Sequence, residues 1–124
     1  MSAPTVAQNA VAATLNLPET EEAVEQMRAE YDRRRRLVVD GFNELGLVCF
    51  EPRGAFYAFP RVTASGMDEE AFAEQLLQEE QVAVIPGAAF GASGAGFVRV
   101  CYATAYEKLE VALERMQRFM QRHG

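Results

Sequence analysis

Arg99 lies within Phe97-Val98-Arg99-Val100-Cys101-Tyr102-Ala103, a run otherwise suited to a buried β-strand. Side chains alternate along a strand, so Phe97, Arg99, Cys101 and Ala103 share one face. A guanidinium cannot discharge by losing a proton. Burying it without a partner costs on the order of several kcal/mol even after relaxation. Such an arginine needs an anion, either an Asp or Glu of the chain or a carboxylate or phosphate brought by a ligand. The planar fork of Arg suits the second role, because it meets a carboxylate with two parallel hydrogen bonds. Residue type alone leaves both readings open.

The other reactive side chains form no constellation. The single histidine, His123, falls at a C-terminus expected to fray, and Ser65 and Ser93 sit in turns with no histidine base nearby in sequence. No catalytic residue is assigned. One His and two separated Cys have no metal-ligand spacing, so no metal site is expected. Cys49 and Cys101 read as reduced packing residues in apolar surroundings. Lys108 is the only lysine, and it falls in the first turn of an amphipathic helix, where it should point to water. The run Gly91-Ala92-Ser93-Gly94-Ala95-Gly96 suggests a phosphate cradle at first sight. Its spacing is G-x-x-G-x-G rather than G-x-G-x-x-G, and a strand follows where a dinucleotide site needs a helix. A flexible hairpin connection is the better reading.

These side chains must be carried by one small core. The chain has 124 residues, 49% hydrophobic and 24% charged, with a net charge of −6. That balance argues against general binding to nucleic acid or to an anionic membrane. No apolar run approaches the length that spans a bilayer, and Met1-Ser2-Ala3-Pro4 lacks the basic start of a signal peptide. A cytoplasmic location is expected.

Residues 5–15 predict a short, mostly apolar helix that wants a cover from elsewhere. A long helix follows, opened by Pro18, Glu19 and a capping Thr20, with Val24, Met27, Tyr31, Val38, Phe42 and Leu45 at helical spacing and Gly46 as its stop. Arg33-Arg34-Arg35-Arg36 lies inside it and reads as a solvated face, with Glu30, Asp32 and Asp40 placed to balance it. Beyond it, Leu47 to Phe50 predicts a brief edge strand and Gly54 to Pro60 an aromatic strand. A helix capped by Asp68 should run to about Glu80, with Phe72, Leu76 and Leu77 inward. Val82 to Ile85 predicts a short buried strand. Thr104-Ala105-Tyr106-Glu107 has the form of a capping box opening a terminal helix. The fold class expected is α/β of the α+β type. It has a three- to four-stranded sheet packed with helices, in the order α-β-α-β-β-α, after a short apolar N-terminal helix.

Three segments then occur in order: Gly54-Ala55-Phe56-Tyr57-Ala58-Phe59-Pro60, Val82-Ala83-Val84-Ile85-Pro86-Gly87-Ala88-Ala89-Phe90-Gly91, and Phe97 to Ala103. Together they resemble the C-terminal small domain of class I/II, fold-type I, pyridoxal-phosphate-dependent aminotransferases. The resemblance implies that residues 1–18 are the remnant of a large-to-small domain junction and 19–124 the small domain. It implies that Arg99 grips the substrate α-carboxylate while an amino group passes from an amino acid to a 2-oxo acid. Gly54 and Phe90 match positions bordering the active-site mouth. The family's Schiff-base lysine belongs to the large domain, and Lys108 does not replace it. No cofactor-binding residue is therefore assigned here. Pyridoxal phosphate is expected in the full-length homodimeric enzyme, not on this chain alone, which should be inactive. The alternative is a free-standing amino-acid-binding or protein-interaction module.

Overall fold

The computed structural model describes residues 2–124. The element order is α1 (Thr5–Thr14), α2 (Pro18–Glu44), β1 (Tyr57–Ala58), α3 (Glu69–Glu80), β2 (Ile85–Pro86), β3 (Val98–Cys101) and α4 (Tyr106–His123). The predicted sequence of helices and strands is the observed one, and the class is α+β. The chain forms two compact units, Met1–Asp32 and Arg33–Gly124, with α2 contributing to both.

In the first unit, no residue of α1 is buried. Val6, Val11, Leu15, Leu17, Val24 and Met27 all stand exposed. Thr20 does not cap α2. The helix already starts at Pro18, whose missing N–H costs nothing in a first turn, and the Thr20 hydroxyl donates back to Thr14 O at 2.7 Å.

In the second unit, β3 is the central strand of an antiparallel sheet ordered β1-β3-β2. Tyr57 pairs with Cys101 and Ala58 with Val100, while Ile85 pairs with Arg99 and Pro86 with Val98. The core collects Val38 and Phe42 of α2, Phe72 and Leu76 of α3, Val98 and Tyr102 of the central strand and its extension, and Met116 and Phe119 of α4. Thus the apolar stripe of α2 is buried at Val38 and Phe42 but open at Val24 and Met27.

Several local expectations are corrected. The Gly54–Pro60 strand shrinks to Tyr57–Ala58, because Ala55 takes a left-handed backbone (φ 58°) that breaks extension. The edge strand at 47–50 is reduced to a single bridge, Cys49 to Pro60. The strand expected at Val82–Ile85 is shifted to Ile85–Pro86, with Val84 buried and Ile85 exposed. Asp68 does cap α3, accepting from the Ala71 N–H at 2.8 Å, but Leu77 faces outward. The capping box of α4 does not form: Ala105 is the cap residue, and no side chain bonds there. His123 is not frayed. It lies within α4, with its ring 3.0 Å from both Glu79 carboxylate oxygens. The arginine run is not a simply solvated face, since Arg35 is only 17% exposed and pairs with Glu51, and Arg33 covers the Tyr106 ring at 3.8 Å.

The glycine-rich segment is an ordered lock rather than a flexible connection. Two 3-10 turns, Gly87–Phe90 and Ala92–Gly94, meet where the Gly87 and Gly94 backbones touch with no room for a β-carbon. Gly87 N–H donates to Phe97 O at 2.8 Å, and Gly96 N–H to the Glu69 carboxylate at 2.8 Å. Glu69 is buried by this bond, which no helix periodicity signals.

Candidate functional site

The central strand presents two unlike faces. Val98 and Tyr102 point into the core, whereas Phe97, Arg99, Cys101 and Ala103 lie on the more open side. Arg99 is therefore half-buried on an open sheet face rather than sealed inside. Paired residues of an antiparallel ladder project to the same side. Ile85, opposite Arg99, and Tyr57, opposite Cys101, thus share its face. Cys101 is exposed, correcting its expected burial, and Cys49 is buried. Burial pushes the Cys49 thiol pKa up, partly offset by a backbone hydrogen bond at Phe59.

The surroundings of Arg99 are aromatic. Its Cζ lies 4.3 Å from the Tyr57 ring centroid and 4.3 Å from that of Phe90. Tyr57 comes from β1 on one side of β3, and Phe90 from the turn after β2 on the other. The Phe90 ring also meets Phe59 edge-on at 5.9 Å. Among the described residues, no carboxylate pairs with Arg99 and no guanidinium N–H of it is engaged in a hydrogen bond. Cation–π contact attracts the positive charge without using its donors. The guanidinium is thereby held while its in-plane N–H fork stays available to a planar anion.

Of the sequence-derived border residues, the fold brings Phe90 to Arg99. Gly54 lies in an exposed bend three residues ahead of Tyr57. Tyr57 was not singled out as a site residue. The available signal was its register opposite Cys101, which becomes visible only once the strands are paired. Tyr102 supports the bend from below, its hydroxyl donating to Ala55 O at 3.1 Å.

Lys108 stands on the first turn of α4 and lines a groove of about 670 Å³ with Val100, Leu109 and Met116, and Arg99 is not part of that groove. No group of three or more His, Cys, Asp or Glu that could hold a metal occurs among the described residues. Nor, among them, is any helix long and apolar enough to cross a membrane.

Comparison with known proteins gives this geometry a context. The family described as aminotransferase class I and II matches residues 1–116. An aspartate aminotransferase of Pyrococcus abyssi is 51% identical over 116 residues, which cover 94% of this chain and 30% of the relative. The putative aminotransferase YugH of Bacillus subtilis is 52% identical over 120 residues, covering 97% of this chain and 31% of the relative. Among solved structures, an aromatic aminotransferase from Pyrococcus horikoshii superposes with a TM-score of 0.90 at 52% identity, over 93% of this chain and 31% of that one. The chain thus spans about 30% of the length of the proteins it matches.

Proposed function

The chain belongs to the class I and II aminotransferases, and on that premise we propose that it is their C-terminal small domain, with Arg99 as the anchor for the substrate α-carboxylate. The observation that carries the proposal is a half-buried guanidinium with aromatic flanks, no carboxylate partner among the described residues and an unspent donor fork. A carboxylate docking edge-on to Arg99 would form two charge-assisted bonds and fix the orientation of the Cα it carries. Both partners of a transamination, the amino acid and the 2-oxo acid, carry that group. Comparably similar relatives bear the names aspartate and aromatic aminotransferase. The feature common to such substrates is the α-carboxylate rather than the side chain, which fits an anchor on this segment and side-chain selection elsewhere.

Pyridoxal phosphate, expected of the full-length enzyme by family, would be held by segments other than this one. The exposed apolar residues of α1 and early α2 would pack against that larger part, in a homodimer. Unbridged cysteines accord with work in the cytoplasm.

The test is a chimera in which this chain replaces the matched segment of the Pyrococcus abyssi enzyme. Transamination is measured for wild-type and Arg99→Lys. Lysine keeps the charge but offers a point contact in place of the fork. Loss of one charge-assisted bond, about 1.5–3 kcal/mol, should raise KM for amino acid and oxo acid alike by roughly tenfold to over a hundredfold. Weakening of one substrate alone would refute the shared anchor.

A further inference from the structure

We propose that Tyr57 and Phe90 are positioning residues for Arg99: two aromatic walls that fix the plane of its guanidinium so that a carboxylate meets a pre-aimed fork. The inference rests on the carboxylate reading of Arg99 and goes beyond it by assigning the residues that prepare that group.

The two centroid distances are equal, 4.3 Å each, and the rings arrive from opposite flanks of the central strand. An arginine side chain on an open sheet face would ordinarily sample many rotamers, and binding would have to freeze them. Here the ordering is done beforehand by two cation–π contacts centred on the guanidinium carbon, which take up no carboxylate. A salt bridge to an Asp or Glu would have ordered the side chain equally well but occupied the fork. The walls differ in how they are held. Tyr57 is fixed by its β1–β3 pairing. Phe90 is 48% exposed and is held by the edge-on ring of Phe59 and by the Gly87–Gly94 contact at the start of its turn. Phe90 is thus the wall that can be altered with least disturbance to the core.

The experiment uses the 124-residue chain labelled with 15N and 13C. The Arg99 Nε–Hε resonance is assigned by its loss in Arg99→Leu. Its order parameter is measured without ligand, and its shift is followed as acetate is titrated. In the wild type, Arg99 Nε should be ordered, and its Cδ protons should be displaced upfield by the two rings. Phe90→Leu and Tyr57→Leu should each lower the order parameter, reduce the upfield displacement and weaken acetate binding about twofold to fivefold. The ring-preserving changes Phe90→Tyr and Tyr57→Phe should restore all three readouts. Backbone amide spectra identify any variant that has lost its fold, and Phe90→Leu, at an exposed site, keeps the comparison open if Tyr57→Leu does so. If acetate shifts Arg99 in the wild type but the leucine variants keep its order and affinity, the aromatic walls have no positioning role. If acetate shifts no Arg99 resonance in the wild type, the carboxylate reading fails and this inference falls with it.

Discussion

Gly87→Ala should be among the most damaging single-methyl changes in the second unit. Gly87 has no positive φ that would favour glycine, so the entire cost is collision. A β-carbon there would stand 2.6 Å from Phe97 O, about 0.8 Å short of the 3.4 Å at which ordinary contact begins, and would overlap Gly94 O as well. Both obstacles are backbone, so no side-chain rotation relieves them. Overpacking of this kind costs roughly 1–3 kcal/mol. Separating the turns would also strain the Gly87 N–H to Phe97 O bond at 2.8 Å and the Phe97 N–H to Gly94 O bond at 3.1 Å, each worth about 0.5–1.5 kcal/mol net. A total of about 2–6 kcal/mol would lower Tm by on the order of 10–40 °C for a domain of this size. Thermal unfolding followed by circular dichroism gives the answer, with Gly54→Ala as the comparison. Gly54 has open space and no positive φ, so alanine there should move stability by less than about 0.5 kcal/mol. Indistinguishable melting curves for Gly87→Ala and Gly54→Ala would refute the lock. A milder form of the same test reads the site: the Phe90 ring should shift in Gly87→Ala and not in Gly54→Ala.

Further expectations concern charge and thiols. Glu80 is buried at its side chain, where Arg122 and Arg118 hydrogen-bond it at 2.8 and 2.9 Å and hold its pKa below the usual carboxylate value. Glu79 is lowered likewise, by His123 first and Arg122 second. A carboxylate with a depressed folded pKa stabilises the fold above its unfolded value, near 4.5, and loses that contribution as pH falls through the folded pKa. Denaturant midpoints should therefore fall below about pH 4.5 in the wild type and fall less steeply in Glu80→Gln; parallel pH profiles for the two proteins would contradict the clasp between α3 and α4. With a disulfide reagent at neutral pH, exposed Cys101 should be modified in the native chain and buried Cys49 only on unfolding. Equal rates would contradict their placement. Tyr102→Phe removes the hydroxyl bond to Ala55 O and should cost about 0.5–1.5 kcal/mol, read by denaturant unfolding.

The parts of this fold that were legible in the sequence are those set by local, periodic signals. Asp68 as a cap and Gly46 as the stop of α2 follow from propensity and spacing, and they hold. The misread positions answer to distant partners. Glu69 looks like a solvated first-turn acid but is buried because the Gly96 N–H, 27 residues away, points at it. His123 is ordered by Glu79, on another helix. Thr104 lost its capping role because the chain enters α4 one residue later, through Ala105. The glycines read as flexibility when taken one at a time. Their meaning lies in the approach of Gly87 to Gly94, which no local pattern encodes.

Arg99 shows the same division within a single site. Its identity and strand position announce that a charge must be answered, but they do not say by what. The register makes the answer specific. Pairing Tyr57 with Cys101 and Ile85 with Arg99 brings one aromatic wall from β1, and the locked turn beyond β2 supplies the other. Both walls meet the cation through cation–π contact, and neither brings a carboxylate to it. An acid at position 85, opposite Arg99, would pair with it directly. Aromatic and aliphatic residues at positions 57 and 85 leave the fork for an external planar anion. A direct consequence is that Ile85→Glu, placing a carboxylate opposite Arg99, should compete with acetate for the fork while leaving the fold intact. Acetate binding in that variant should weaken by more than in Phe90→Leu, since the wall variant only loosens the fork whereas the acid fills it. Unchanged acetate binding in Ile85→Glu would mean that the available edge of Arg99 is not where the carboxylate docks.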